Sequence, residues 1–353
     1  MLIITTMDEN FKKKIDPKFE TGLISVIMPT YNRAYLITNA LNSVLKQTYR
    51  PIEIIIVDDG SVDNTKKIVH DWKQNHEEKN KIWVKYIYKD NGGPSSARNL
   101  GIIESNGEFI QFLDSDDIIH ERRFSKVISV MQSSSAEFVE TGFEGFCHQC
   151  GEVYEKHYGH TKTDFITLLL VGRLWANTLR STFRRSLLVK TGLWNEEMEC
   201  FEDYEFVARA LFLSKKNTAI RDILASARRG GGDRISDRLK TYVGRQNRIQ
   251  CEKIICEGMQ KYEDYFIKAK IKFVSRLYTL GIRSNFNGWN DLGNQCYEIA
   301  TSLKTQLNVS CKIKMLLCRS GRIGALIYKR SVRLRSYSPF GVKVKHSQHY
   351  CKK

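Results

Sequence analysis

The stretch that decides the fold is FIQFLDSDD, residues 109–117. Within it, Ile110–Leu113 is a mostly apolar run that is too short for a helix and suits a strand buried on both faces. Three carboxylates follow at Asp114, Asp116 and Asp117. Carboxylates this close repel one another unless a cation or hydrogen bonds hold them. The stretch therefore predicts either an oxygen-ligand site for a hard divalent ion or a turn that caps the next helix.

The chain before this stretch alternates between strand and helix patterns. Apolar runs rich in β-branched residues predict buried strands at Leu23–Met28, Ile52–Val57 and Val84–Tyr88. Apolar residues at helical spacing predict a helix over Ala34–Gln47, and another helix is expected from about Ser95. Strands separated by helices indicate an α/β fold with a mainly parallel sheet, whose ligand crevice lies beyond the carboxyl ends of its strands.

Three polar loops fall on that predicted edge of the sheet. They are residues 30–33, 58–61 and 114–117, each of which directly follows a predicted strand. One such loop is ordinary turn chemistry. Three together, rich in oxygen ligands and aromatic surface, predict a nucleotide and metal site.

Composition indicates a folded, basic protein. Of the 353 residues 42% are hydrophobic and 11% aromatic, which is typical of a globular chain with a core. No window holds the roughly 18 consecutive apolar residues of a transmembrane helix. The nine cysteines are scattered and odd in number, which favours reduced thiols and a cytoplasmic location.

The net charge of +17 is concentrated in the last third of the chain. Residues 221–353 contain 28 Lys/Arg and 9 Asp/Glu, and residues 301–353 contain 13 Lys/Arg and no acidic residue. Nucleic acid and an anionic membrane are the partners that such a segment attracts. Because the half that bears the carboxylates is nearly neutral, we expect no nucleic-acid binding across the sheet.

The motifs in residues 23–117 resemble a known family. ISVIMPTYNRAYL (24–36), IEIIIVDDGSVDNT (52–65) and NGGPSSARNLGIIESNGEFIQFLDSDD (91–117) resemble the inverting nucleotide-sugar glycosyltransferases of family 2, which have the GT-A fold. TGLWN (191–195) and FEDYEF (201–206) resemble the acceptor half of that fold, and RGGGDRIS (229–236) is similar to a loop in which His commonly stands where this chain has Gly232. The resemblance implies transfer of a sugar from a nucleoside-diphosphate sugar, UDP-sugar being favoured, to a hydroxyl of a glycan or lipid-linked glycan.

Donor-binding roles can be argued from the chemistry of the side chains. A pyrimidine can rest on Tyr31 and donate a ring N–H to Asp59, although an Asx-turn also explains Asp59. Gly92 and Gly93 allow close approach of the backbone to a phosphate or base. Arg98 can offer a guanidinium to the same ligand or form a surface ion pair.

The metal and the base complete the expected chemistry. We expect Mn²⁺ or Mg²⁺ directly on Asp116, where the ion would neutralise the departing diphosphate. Asp114 could share the metal or hold the ribose of the donor. The resemblance places the general base at Asp203, which could otherwise be the N-cap of a helix. The remaining residues expected to bind substrate are Thr30, Arg33, Ser115 and Glu202, together with Trp194, whose indole could either stack on a sugar face or pack in the core or at the surface.

The predicted domain organisation has three parts. Residues 1–20 form a mobile extension, and residues 21–245 form the GT-A catalytic domain with a nucleotide-binding half (21–117) and an acceptor half (118–245). Residues 246–353 form a helical, basic region. This region either lies on an anionic membrane, making the protein peripheral to its inner face, or packs on the catalytic domain with a solvated basic face.

Two alternative functions remain on sequence grounds. A sugar-phosphate nucleotidyltransferase should have a Gly-rich first loop, whereas residues 29–32 read PTYN. A non-catalytic partner subunit that binds a nucleotide or glycan would not need Asp59, Asp114, Asp116 and Asp203 together.

Overall fold

The computed structural model describes residues 19–76, 81–161, 164–170, 172, 174, 177–230, 240–260, 267–303 and 306–331. The extension at residues 1–18, the loop around Gly232 and the basic segment 332–353 lie outside these described residues. Predictions that concern them stay predictions.

One sheet of nine strands organises the first two thirds of the chain. The strands are β1 (Glu20–Thr30), β2 (Ile52–Asp58), β3 (Ile82–Tyr88), β4 (Gly107–Phe112), β5 (Ile118–Ile119), β6 (Phe138–Cys147), β7 (Val153–His157), β8 (Ser181–Arg184) and β9 (Asn217–Arg229). Every residue of β2 and β4 is buried, as expected for strands covered on both faces. The four strands predicted from the sequence are present as β1, β2, β3 and β4.

Helices cover the sheet and continue beyond it. Those between the strands are α1 (Ile37–Leu45), α2 (Thr65–His76), α3 (Gly93–Ile103), α4 (Arg123–Ser134), α5 (Phe165–Leu170), α6 (Arg185–Thr191) and α7 (Glu202–Leu213). Those after the sheet are α8 (Tyr242–Gln260), α9 (Ile267–Phe286), α10 (Asn290–Ser302), α11 (Val309–Arg319) and α12 (Gly321–Ser331). The first predicted helix is shorter than expected, because residues 34–36 form a turn before Ile37 and the helix ends at Leu45.

The strand order places a ligand crevice at one edge of the sheet. The order is β3-β2-β1-β4-β8-β6-β9-β5, with β7 paired to β6. Strands β1 to β4 are parallel, whereas β8 is antiparallel to β4 and to β6. The chain winds outward from β1 to β3 and then returns to place β4 on the other side of β1. This reversal is the position at which open α/β sheets bind ligands.

The helices after the sheet share its core. One buried cluster joins Phe112 of β4 and Phe183 of β8 to Phe206 of α7, Ile255 of α8 and Phe273 of α9. The inner side of the basic C-terminal region is therefore packed on the part of the chain that forms the sheet. Within the described residues, no helix combines the length and apolar composition needed to cross a membrane.

Candidate functional site

The carboxyl ends of β1, β2 and β4 bring the three predicted loops to one edge. Thr30 pairs with Asp58 in the β1–β2 register, and the Leu113 N–H donates to the Ile27 carbonyl at 3.0 Å. Because neighbouring strands lie about 4.8 Å apart, residues 30–33, 58–61 and 114–117 form one rim. The sequence predicted this grouping from strand order alone.

The first loop, residues 30–33, presents an aromatic ring, and its backbone is held by hydrogen bonds to side chains that follow β2. The Asn32 N–H donates to Ser61 Oγ at 2.8 Å, and the Arg33 N–H donates to Thr65 Oγ1 at 3.0 Å. Tyr31 remains 46% exposed, which leaves its ring accessible to a flat ligand. Thr30 is buried at the strand end.

Asp59 connects the second loop to the start of α3. Its Oδ1 accepts from the Gly92 N–H at 2.9 Å and from Lys89 Nζ at 2.7 Å, and its Oδ2 accepts from the Gly93 N–H at 2.7 Å. Gly93 has φ +88°, and open space lies where a Cβ would stand. The backbone donors expected to face a phosphate thus hold the buried carboxylate of Asp59 in this structure. Lys89 was missed by the sequence analysis, although its place directly after a strand is a usable signal.

Asp58 is a second buried carboxylate at this rim, and its role is structural. It accepts from the Tyr86 hydroxyl at 2.5 Å and from the Ser61 N–H at 2.8 Å. These bonds hold the 58–61 turn in shape while Asp59 faces α3. The sequence analysis named only Asp59 as a binding residue and assigned no role to Asp58.

Arg98 connects residues 114–117, which we call the DSD loop, with the start of α7. The guanidinium is buried and donates from Nη2 to Asp114 Oδ1 at 2.9 Å and from Nη1 to Glu202 Oε1 at 3.3 Å. Burial opposes its charge, but Asp114 and Glu202 outweigh burial and raise the pKa of Arg98. Asp114, which is 16 positions from Arg98 in the sequence, and Glu202, which is 104 positions from it, are thereby brought into one site.

Trp194 supports Arg98 and is not placed to stack on a sugar. The indole is 2% exposed, Phe206 stacks on it at 4.2 Å between ring centroids, and the Arg98 guanidinium carbon lies 4.5 Å from its centroid. Asn99 fixes this segment, accepting from the Trp194 N–H at 2.8 Å and donating to its carbonyl at 3.1 Å. The expected sugar-stacking role of Trp194 thus finds no open ring face here. Asn99 is a positioning residue that the sequence did not single out.

Asp203 lies at the first turn of α7, beside Glu202. It is partly buried, and its Oδ1 accepts from the Tyr204 N–H at 2.7 Å. Burial and the negative charge of Glu202 raise the pKa of Asp203 to about 7, while Arg98 acts in the opposite direction. A carboxyl with a pKa near neutrality can exchange a proton during a reaction at neutral pH.

The DSD loop itself is anchored by its last aspartate. Asp117 is buried and accepts from the Arg228 N–H at 2.9 Å, which ties the loop to β9. Burial, followed by the charges of Asp116 and Asp114, raises the pKa of Asp117 well above its ordinary value. Ser115 is buried between the two aspartates expected to bind metal, and both of those aspartates are partly exposed.

The donor set at this loop fits a metal ion completed by substrate. Among the described residues no group of three or more His, Cys, Asp or Glu side chains could hold a metal ion on its own. Asp114 uses Oδ1 for Arg98 and keeps a side chain that is 44% exposed. Mg²⁺ is commonly held by one or two carboxylates together with substrate phosphates and water. The partly exposed carboxylates of Asp114 and Asp116 are therefore compatible with a cation that arrives with a diphosphate.

Comparisons of sequence place the chain among glycosyltransferases. Residues 25–168 match the model of Glycosyl transferase family 2. The glycosyltransferase GlyG of Streptococcus pneumoniae is 30% identical over 224 residues, which cover 60% of this chain and 72% of GlyG. An uncharacterised glycosyltransferase of Rickettsia conorii is 38% identical over 120 residues, or 34% of this chain and 19% of that protein. The chain thus spans about a fifth of the length of this relative.

The comparison of structures agrees with the fold. Crystal structures of S. aureus TarS 1–349 match with a TM-score of 0.68 for the complex with UDP-GlcNAc, at 20% identity and over 88% of this chain and 93% of that one. At this identity the likeness concerns the fold, a mixed α/β architecture with a curled, mostly parallel sheet. The predicted GT-A fold class is thereby confirmed. Together with the family model and GlyG, these observations establish that the chain belongs to glycosyl transferase family 2.

Proposed function

We propose that this protein transfers a sugar from a nucleoside-diphosphate sugar to an acceptor hydroxyl, with inversion at the anomeric carbon. The observation that carries the proposal is Arg98, which bridges Asp114 of the DSD loop and Glu202 beside Asp203. This bridge puts the expected diphosphate site and the expected base on one crevice. We favour a UDP-sugar as donor because Tyr31 and Asp59 suit a uracil ring, and because TarS, of the same fold, was crystallised with UDP-GlcNAc.

In this proposal the acceptor oxygen attacks the anomeric carbon as the bond to the diphosphate breaks. Asp203 accepts the hydroxyl proton, and the electron pair of the broken bond leaves with the diphosphate. A pKa of about 7 allows Asp203 to be ionised at working pH and still be basic enough to take that proton. Arg98 holds Asp114 and Glu202 in position for the donor.

Asp114 and Asp116 would hold Mn²⁺ or Mg²⁺, whose contribution when bound is to neutralise charge on the departing diphosphate. No separate acid at the leaving group is needed. The acceptor that we propose is a glycan or lipid-linked glycan, in keeping with an enzyme that works in the cytoplasm at the inner face of a membrane.

Nucleotide binding tests the proposal without knowledge of the acceptor. The melting temperature of the purified protein should rise with UDP and Mn²⁺, since a ligand that binds only the native state stabilises it by mass action. Asp116→Asn should lose the Mn²⁺-dependent part of this shift, whereas the exposed control Glu121→Gln should keep it. A protein that melts cooperatively but responds to no nucleoside diphosphate would contradict the proposal and favour a non-catalytic binding subunit.

A further inference from the structure

The last two described helices have two apolar faces. On their inner side Cys311 and Cys318 of α11 and Ala325 of α12 are buried in the main core. On α11, Val309, Ile313 and Leu316 recur at spacings of four and three residues, which is one helical face. Since successive residues of a helix turn by about 100°, this face lies opposite the buried cysteines.

The outer face is exposed to an unusual degree for apolar side chains. The exposed fractions are Val309 74%, Ile313 52%, Leu316 58%, Ile323 70%, Leu326 49% and Ile327 53%. A surface helix of a globular protein normally turns polar residues outward. Six large aliphatic side chains on two consecutive helices therefore indicate a partner for this outer face.

The charge that α11 and α12 carry is entirely basic. Lys312, Arg319 and Arg322 are exposed on the same helices. Residues 301–353 contain no Asp or Glu that could neutralise them. Aliphatic side chains next to exposed Lys and Arg are the composition of helices that lie in the interface of an anionic bilayer.

Self-association explains this face less well. A twofold dimer brings the same patch against itself, so the basic side chains of two copies would approach one another without acidic partners. Like charges placed opposite each other across an interface are costly. A surface of anionic phospholipid instead supplies both the negative charge and the apolar layer.

We propose that α11 and α12 form a docking face for an anionic phospholipid bilayer, with the six aliphatic side chains entering the headgroup boundary. This inference goes beyond sugar transfer and does not depend on it. The donor crevice and the docking face lie on different parts of the chain, so either property can fail alone.

Vesicle co-sedimentation of the full chain tests the docking face. The protein should bind vesicles of phosphatidylglycerol and phosphatidylcholine, bind pure phosphatidylcholine far less, and dissociate in high salt. The double variant Leu316→Ser/Ile323→Ser should weaken binding at least tenfold, since each large aliphatic side chain contributes apolar area at the interface. Val153→Ser, at an exposed apolar site on β7, is the matched control and should bind as the wild type does.

Charge variants test whether the basic residues of α11 and α12 themselves contribute to vesicle binding. Neutralising Lys312, Arg319 and Arg322 to Gln should weaken binding roughly fivefold for each charge, at about 1 kcal/mol per basic residue near the surface. Failure to bind anionic vesicles, or binding that neither set of substitutions weakens, would overturn the proposal. A wild-type dimer in sedimentation velocity that Leu316→Ser/Ile323→Ser dissociates would assign the face to a second copy instead.

Discussion

Replacing Asp203 by asparagine should stabilise the protein, and by more at high pH than at low pH. The pKa of Asp203 is raised from 3.8 to about 7, first by burial and then by Glu202. Between these two values the folded protein holds a proton that the unfolded chain has released. The free energy of unfolding therefore falls as pH rises through this window. Asparagine is a neutral side chain of the same shape, so the free energy of unfolding of the variant does not fall in this way as pH rises.

The size of the effect follows from the pKa. A pKa of about 7 lies two units above pH 5, and each unit corresponds to about 1.36 kcal/mol. Going from pH 5 to pH 8, the advantage of Asp203→Asn over the wild type should grow by about 3 kcal/mol. At about 2.1 cal/mol/K of unfolding entropy per residue, the 353 residues of the chain make this a melting-temperature difference of about 4 °C.

Thermal unfolding of the metal-free protein at half-unit steps from pH 5 to pH 8.5 measures this growth. The control is Asp71→Asn, because Asp71 is 52% exposed in its pair with Lys67 and should change stability by less than about 1 kcal/mol at every pH. A difference between Asp203→Asn and the wild type that does not change with pH would refute the reasoning. It would mean that Asp203 is ionised throughout this range.

Three further predictions concern the buried charges and the metal. Glu252 lies 2.6 Å from both Arg248 and Arg276 in the core. Glu252→Gln should therefore lower the free energy of unfolding, measured by urea titration, by about 3–5 kcal/mol. A loss below about 1 kcal/mol would contradict a buried ion pair at this position. The charge of Glu202 raises the pKa of Asp203. Glu202→Gln should therefore move the acid limb of the pH profile of kcat/KM for UDP release to lower pH by about one unit. A pH profile that does not move would show that the two carboxyls do not interact. Removing divalent ions with EDTA should weaken UDP binding at least tenfold in calorimetry, with recovery on adding Mn²⁺; equal affinity with and without metal would exclude the metal-assisted site.

The sheet and its functional edge were predictable because they depend on local patterns. Ile52–Val57 is β-branched, apolar and bounded by Pro51 and Asp58, and it is a strand in the structure. Parallel strands that alternate with helices send their carboxyl ends to one edge, so the sequence is enough to group the loops after β1, β2 and β4.

The contacts inside the site could not be predicted, because they join residues far apart in the sequence. Arg98 meets Glu202 across 104 positions, and its partner Trp194 is held by Asn99 across 95. The sequence suggested a sugar-stacking role for Trp194, since an isolated Trp gives no sign of whether its ring faces are covered. Covering by Phe206 and Arg98 depends on how α3 and α7 meet.

The packing of the basic C-terminal region likewise could not be predicted from the sequence. The helical spacing of this region is visible in the sequence, but the sequence leaves packing on the rest of the chain and attachment to a membrane as alternatives. The structure shows that α11 and α12 bury one face and expose a second apolar face. Packing and docking are therefore compatible, because each uses a different side of the same helices.

We propose above that the crevice transfers a sugar from a nucleotide sugar with Asp203 as base. The most direct test of this proposal compares the wild type and Asp203→Asn in two assays, calorimetric binding of UDP with Mn²⁺ and release of UDP from a panel of UDP-sugars supplied with glycan or lipid-linked acceptors. We expect equal UDP affinity in both proteins and, in the variant, a rate of UDP release lower by about 10²–10⁴. UDP release by the variant at the wild-type rate would contradict the role of Asp203, and a wild type that binds UDP but cleaves no nucleotide sugar would contradict transfer itself.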